Sequence, residues 1–384
     1  MRHRVLAFTG LLVTAAFVAS VARVTVAGQT GTTKPVPAAS AKAPASKAAA
    51  AKSSLRTPWG EPDLQGIWQD PNQTPLQRPA QYSNREFLTD AEIAELDKKR
   101  EALDRREHRA APGTEQDVAG AYNAVFESHK KTGRRTSLVV DPPDGRVPAM
   151  TEAAARRVEM ERAYQANPRK AVNPGTWNTG RMNRADNPED RSTSERCLGS
   201  MLPDLNAFTR IVQSPGYVAI YYEHGQGGGG NRIIPTNNSP HLPQTIRQWY
   251  GDARGHWEGG TLVVDTTNFS PKTFYRGAHE NLHLVERFRR TDAETVEYTL
   301  RVEDPTTWVK PWMVKMDLKR NPDRFNRIFE STCHEGNYGL TGMLANTRAA
   351  DKAFAEGKGP DPAMQNLAIG GAGGEADPFE AAVD

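Results

Sequence analysis

What most limits the fold of this chain is a succession of short apolar runs from Asn206 onward, rich in β-branched and aromatic residues and each broken by a turn signal. "TRIVQSPGYVAIYYEH" gives two runs separated by Ser214-Pro215-Gly216, and "NRIIPT" follows a run of four glycines. In "GHWEGGTLVVDTTNF", Glu258-Gly259-Gly260 forms a turn between Trp257 and the run from Thr261 to Phe269. "LHLVERFRRTDAETVEYTLRVED" reads as a hairpin turning at Asp292-Ala293-Glu294, and "WMVKMDLKR" and "RIFEST" supply two more strands. About seven or eight strands at short spacing predict a mainly β fold, an antiparallel β-barrel or sandwich, and exclude an α/β enzyme.

The region 57–205 is expected to join this meander, residues 206–348, in one domain. "PDLQGIWQD" has Leu64, Ile67 and Trp68 around Gly66 and reads as a short strand closing a barrel end. In "FLTDAEIAELDKKREALDRREHRAA", Thr89 stands three residues before Glu92, a capping box opening a surface helix with a thin apolar stripe at Ile93, Leu96 and Leu103. "MTEAAARRVEMERAYQANP" gives a second helix, capped by Thr151 and stopped before Pro168. The Asn, Pro, Gly and Arg-rich stretch to Arg196 predicts an irregular wrap, so the two helices form an N-terminal helical insertion.

The two ends carry different information. Residues 1–27 hold a basic start (Arg2, His3, Arg4), an apolar run from Val5 to Ala22 and small residues suited to cleavage, the pattern of a signal peptide. The run is short for a membrane span and Arg23 ends it; no later stretch nears the ~20 apolar residues a spanning helix needs. The expected compartment is therefore exported, periplasmic or extracellular. Residues 28–56, rich in Ala, Pro and Lys, cannot bury enough surface to offset ordering entropy and read as a disordered tether. Residues 349–384 read as a low-complexity tail.

A net charge of +3 and the absence of a basic stripe interleaved with aromatics make nucleic acid an unsuitable partner. The expected partner is a small-molecule ligand or substrate; oligomeric state is not legible. The two cysteines, Cys197 and Cys333, fit one disulfide in an oxidising compartment, with two buried thiols as the alternative.

The G-I-W opening followed by a late meander resembles lipocalin-like barrels faintly. A longer series, "WGEPDLQGIW", "ERC", "HLPQTIRQWYGDARGHWEGGTLVVDTTNF", "ENLHLVERF", "DPTTWVKPW" and "CHEGNY", spans most of the chain from Pro58 to about Tyr338. It resembles a large family of exported bacterial proteins, found for example in acidobacteria and proteobacteria and usually labelled hypothetical. The resemblance implies no activity.

The segment His279-Glu280-Asn281-Leu282-His283 matches the H-E-x-x-H pattern of zinc peptidases. That motif works on a helix, where residues four apart share a face; on a strand they stand about 13 Å apart and cannot share one ion. Leu282, Val285 and Phe288 recur at intervals of three, which favours a helix, whereas the hairpin reading of "LHLVERFRRTDAETVEYTLRV" favours a strand. The family resemblance adds that Ser often stands at the position of His279. The strand reading is adopted, with no metal and no cofactor assigned.

On a strand, Leu282, Leu284, Glu286 and Phe288 share one face and His283, Val285, Arg287 and Arg289 the other. If Glu286 faces the interior, an apolar setting would raise its pKa and suit it to acid/base work, unless an internal partner such as Arg247 or Arg301 neutralises it. "STCHEGNYG" concentrates His334, Glu335, Asn337 and Tyr338 after a strand, where barrels build sites. His224 and His241 could line the same mouth, together with Trp257 and Tyr222. "GQGGGGN" lacks the Lys-Ser/Thr ending of a phosphate loop, and no G-x-S-x-G is present.

Two functions fit these residues. In the first, an exported barrel binds an apolar, aromatic or sugar ligand through Trp257, Tyr222, His224, His241, Asn337 and Tyr338. In the second, the same cavity is a metal-independent acid/base enzyme, a hydrolase, lyase or isomerase, using His283, Glu286, His334 and Glu335.

Overall fold

The structure, a computed structural model, describes residues 55–104, 130–166, 188, 196–199, 202–205, 208–223, 230–321 and 338–362. The strands include those that the sequence predicts and three short ones that it does not, at 72–73, 131–132 and 139–141. These are β1 (Gly66–Gln69), β2 (Asn72–Gln73), β3 (Lys131–Thr132), β4 (Val139–Asp141), β5 (Phe208–Ser214), β6 (Tyr217–Glu223) and β7 (Gly230–Pro235). They continue with β8 (Asp252–Glu258), β9 (Thr261–Thr267), β10 (His283–Arg290), β11 (Thr295–Glu303) and β12 (Trp312–Arg320). The predicted strand over "RIFEST" lies outside the described residues.

The main sheet runs β7-β6-β5-β1-β12-β11-β10-β9-β8, with every neighbour antiparallel, and curls into a nearly closed barrel. Strand β1 sits in the middle of this order rather than at a barrel end. Trp68 pairs with both Arg320 of β12 and Thr209 of β5, so four residues join the two halves of the sheet. The other end of the same β12 edge takes β4, with a register shift between Met313 and Val314.

Register sorts the β8–β12 half into inward rows. One row is Gly255, Val264, Glu286, Leu300 and Val314; the next is Trp257, Leu262, Phe288, Tyr298 and Met316. On the other half, Ile211, Ile220 and Arg232 form one inward row and Thr209, Tyr222 and Gly230 another. All but Trp257, which is half-buried against them, are buried around one core. The opposite faces of β8–β12 carry ion pairs such as Arg287 with Glu258 and Lys315 with Glu297.

The end strands β7 and β8 run alongside each other without a ladder, which leaves one seam in the barrel. The seam is packed by side chains over Gly255: a Cβ there would meet Thr236 Cγ2 at 2.9 Å and Ile234 Cγ2 at 3.0 Å.

Among the described residues there are three α-helices. In α1 (Asp90–Asp104) the predicted capping box is present, with the Glu92 backbone N–H donating to Thr89 Oγ1 at 3.3 Å and the Thr89 N–H donating to Glu92 Oε2 at 2.8 Å. Helix α2 (Glu152–Ala166) is capped by Thr151, whose Oγ1 accepts from the Ala154 N–H at 3.1 Å. Helix α3 (Gly339–Ala355) was not anticipated and crosses the expected boundary at 348. Its half-buried residues Leu340, Met343 and Leu344 and buried Thr347 recur at helical spacing, a short stripe beside which the low complexity of the following tail dominates.

Because β-branched bulk cannot be placed over Gly255 without moving β7, Gly255→Val should lower the free energy of unfolding by about 1–3 kcal/mol in urea titrations. A variant of unchanged stability would mean the seam is not packed as described.

Candidate functional site

Strand alternation on β10 decides where the candidate residues go. His283, Val285 and Arg287 face outward, and Leu284, Glu286 and Phe288 face the core. The H-E-x-x-H segment is therefore no helix. Tyr275–Ala278 is a two-residue hairpin turn, closed by reciprocal backbone bonds of 2.9 Å, with Arg276 and Gly277 both at positive φ (52° and 94°). A second turn closes from the Leu282 N–H to the His279 carbonyl at 3.1 Å, and β10 begins at His283. His279 is buried, with Nδ1 2.7 Å from the Thr273 carbonyl and its ring edge-on to Phe274; His283 lies on the outer face with Nε2 2.8 Å from Asp265 Oδ2. Among the described residues no group of three or more His, Cys, Asp or Glu is gathered to hold a metal.

Glu286 is fully buried, but its partner is neither Arg247 nor Arg301. Arg247 donates to the carbonyls of Phe269 and Glu280, and Arg301 pairs with Glu303 on the outside. The partner is Arg232 of β7, whose Nη1 donates to Glu286 Oε2 at 2.6 Å and whose Nη2 donates to Oε1 at 2.8 Å. This is the bidentate geometry that a guanidinium and a carboxylate share. Tyr298 OH donates to Oε1 at 3.0 Å, and Arg232 Nη2 also donates to Tyr222 OH at 2.7 Å, with the guanidinium 5.5 Å from that ring's centre.

Both oxygens of Glu286 are thus engaged by protein donors. Burial pushes Arg232 downward, but the carboxylate beside it prevails and holds the guanidinium above its ordinary value. Burial likewise pushes the phenols of Tyr222 and Tyr298 upward, so both remain hydrogen-bond donors at any physiological pH.

A cavity of about 10 Å³ adjoins this cluster, lined by Tyr222, Tyr298 and Phe288 and by Asp204, Thr209 and Met316 among others. Trp257 lies in the inward row of Phe288 and Tyr298, and its Nε1, like Arg232 Nε, has no hydrogen-bond partner among the described residues.

Outside the barrel a second polar array appears. Asp265 lies between two imidazoles, with His283 on Oδ2 and His241 Nε2 3.0 Å from Oδ1. His241 Nδ1 is 2.9 Å from Asp252 Oδ2, and the Glu303 carboxylate stands 3.9 Å from His283 Nδ1. Burial alone would raise Asp265, but its contacts with His283 and then His241 outweigh this and lower it; the bond to Asp265 in turn raises His283.

His283 and Glu286 therefore occupy opposite sides of one strand and do not converge. Of the expected ligand-binding residues, the structure brings Tyr222 and Trp257 to the interior, His241 to the outer array, and leaves Tyr338 84% exposed before α3. His224, Cys333, His334, Glu335 and Asn337 lie outside the described residues. Cys197 stands in a turn at φ 58°, and its pairing with Cys333 falls outside them too.

Arg232, Tyr298, Asp252 and Asp265 escaped the sequence reading. The parity of "NRIIP" places Arg232 on the face of Ile234, and this was the available signal for an inward arginine.

Two predictions follow the geometry. Glu286→Leu, which strands a buried guanidinium, should cost about 3–5 kcal/mol of unfolding free energy, while Arg232→Met with Glu286→Leu should recover most of it. Equal losses in single and double variants, measured by chemical denaturation, would refute the coupling. For His283 a raised native pKa means that its contribution is complete below the ordinary imidazole pKa and is lost as pH rises through the raised value; Asp265, lowered, loses its contribution as pH falls through its own. The melting-temperature difference between wild type and His283→Gln should therefore be largest on the acid side of neutrality and shrink towards alkaline pH.

No protein-family model matches this chain, and no curated protein does.

Proposed function

We propose that the protein is an exported small-molecule-binding barrel that takes an apolar, aromatic or sugar ligand at the interior cavity beside Tyr222 and Tyr298. The observation that carries this reading is the pairing of one polar wall (Asp204, Thr209, Tyr222) with one apolar wall (Phe288, Met316, Leu318) next to a fixed buried ion pair. Small-molecule sites take this form, an apolar lining with a few placed polar groups. The cavity has room for about one water-sized group, so the ligand inserts a single hydroxyl or methyl and keeps its body at the rim near Asp204 and Leu205. Two buried donors behind the cavity lining, Arg232 Nε and Trp257 Nε1, have no partner among the described residues, which favours a ligand with an acceptor.

Binding is preferred to acid/base catalysis because Glu286 is held on both oxygens and His283 faces away from it. The apolar leader and the two cysteines support export with one Cys197–Cys333 disulfide. Among the described residues no helix is long and apolar enough to cross a membrane.

Ligand-observed NMR against aliphatic, aromatic and monosaccharide fragments tests the reading. Saturation transfer should appear with wild type and disappear in Leu318→Phe, which fills the cavity, while circular dichroism stays native. If no class binds, or if binding survives in that variant, the interior is not the site.

A further inference from the structure

The seam between β7 and β8 is the weak line of this barrel, because side-chain packing alone joins the two strands. The connection that bridges it, residues 236–251, folds back onto the outer face of β8 and β9, and one histidine holds its middle. His241 reaches Asp252 through Nδ1 at 2.9 Å and Asp265 through Nε2 at 3.0 Å. Around it the Leu242 N–H donates to Asp252 Oδ2 at 2.9 Å, Arg254 Nε donates to the Pro240 carbonyl at 2.9 Å, and Asn268 Nδ2 donates to the Leu242 carbonyl at 2.8 Å.

We propose that His241 is a pH-responsive latch, fastening the 236–251 connection across the β7–β8 seam when its ring is doubly protonated and releasing it when the ring is neutral. The argument is one of donors and acceptors. Carboxylate oxygens only accept, so both bonds of His241 form together only when both ring nitrogens carry protons. A neutral ring turns one of them into two facing lone pairs.

The surroundings act in the same direction. Facing His241 are Asp252 and Arg254 from β8, Asp265 from β9 and His283 from β10, with Glu303 and Arg301 of β11 beyond His283. With both imidazoles charged, four cations meet three carboxylates; with both neutral, two cations meet the same three. Asp265 then carries a charge that neither ring offsets, which repels Asp252 across the strand pair. Imidazole is the side chain that ordinarily changes charge between about pH 5 and 8, and the contact with two carboxylates needs its charged form. The inner clamp on the same seam, Arg232 with Glu286, keeps its guanidinium charged throughout, so the barrel persists while the connection loosens. This device does not depend on what the interior binds.

Hydrogen–deuterium exchange of the full chain tests it, at about pH 5.5 and about pH 8.5 and corrected for intrinsic rates. Protection of peptides within 236–251 should fall at least about tenfold on going to the higher pH, the loss of a charge-assisted hydrogen bond, while β10–β12 stay protected. In His241→Gln, whose amide does not titrate, the corrected protection should be the same at both values. Equal protection at both pH values in wild type overturns the latch, as does a fall that persists in His241→Gln. If that variant does not fold, ¹⁵N spectra of the wild-type imidazoles decide: the His241 ring should be doubly protonated where the segment is protected, and a neutral ring there overturns the proposal.

Discussion

The buried pair of Arg232 and Glu286 is the interaction around which the interior is arranged. It joins β7, at one end of the strand order, to β10, near the other, and so ties the curled sheet across the seam that no ladder closes. Two charges removed from water are costly unless every donor and lone pair is matched. The barrel meets that demand with two tyrosines: Tyr298 donates to the carboxylate, and Tyr222 accepts from the guanidinium and lies under it. A small cavity adjoins this arrangement, and burial is the main reason that both phenols are pushed upward.

The two faces of the β8–β12 half divide the work. Inward rows carry aliphatic and aromatic bulk around one ion pair, whereas outward rows carry a chain of ion pairs from Arg254 through Asp252, His241, Asp265 and His283 to Glu303 and Arg301. These pairs range from the buried Asp252 carboxylate to half-buried imidazoles and an exposed Arg301, so water screens them unequally. Their role is local: they fasten the connection from β7 to β8. The interior ion pair and the exterior array therefore lie on opposite sides of one wall.

Much of the fold was legible in the residues. The hairpins around Gly216, Gly259 and Asp292, the Thr89–Glu92 box and the shared strand face of Leu284, Glu286 and Phe288 all follow from periods of two and 3.6 and from turn chemistry, which are local properties, whereas which face turns inward does not. The helix α3 was hidden because its apolar stripe is short. The partner of Glu286 was missed for a different reason: arginines at 232, 247 and 301 are equivalent as sequence, and only the curl of the sheet brings β7 within reach of β10. The same holds for Asp265, one of many acidic residues on strands until two histidines from separate elements meet on its oxygens.

By itself, then, the sequence determined the β class, the positions of the main strands and of two helices, and which side chains of a strand share a face, because these depend on neighbours a few residues away. Its hairpin pattern favoured a strand at His283, and the structure, where β10 begins at that residue, shows that His279 and His283 are not a helical pair. Tertiary structure alone decided which charges meet, that the sheet curls to a barrel with an open seam, and that His283 and Glu286 act on different sides of the wall. Those outcomes rest on contacts between residues 18 to 54 positions apart along the chain, and no local period encodes such a distance.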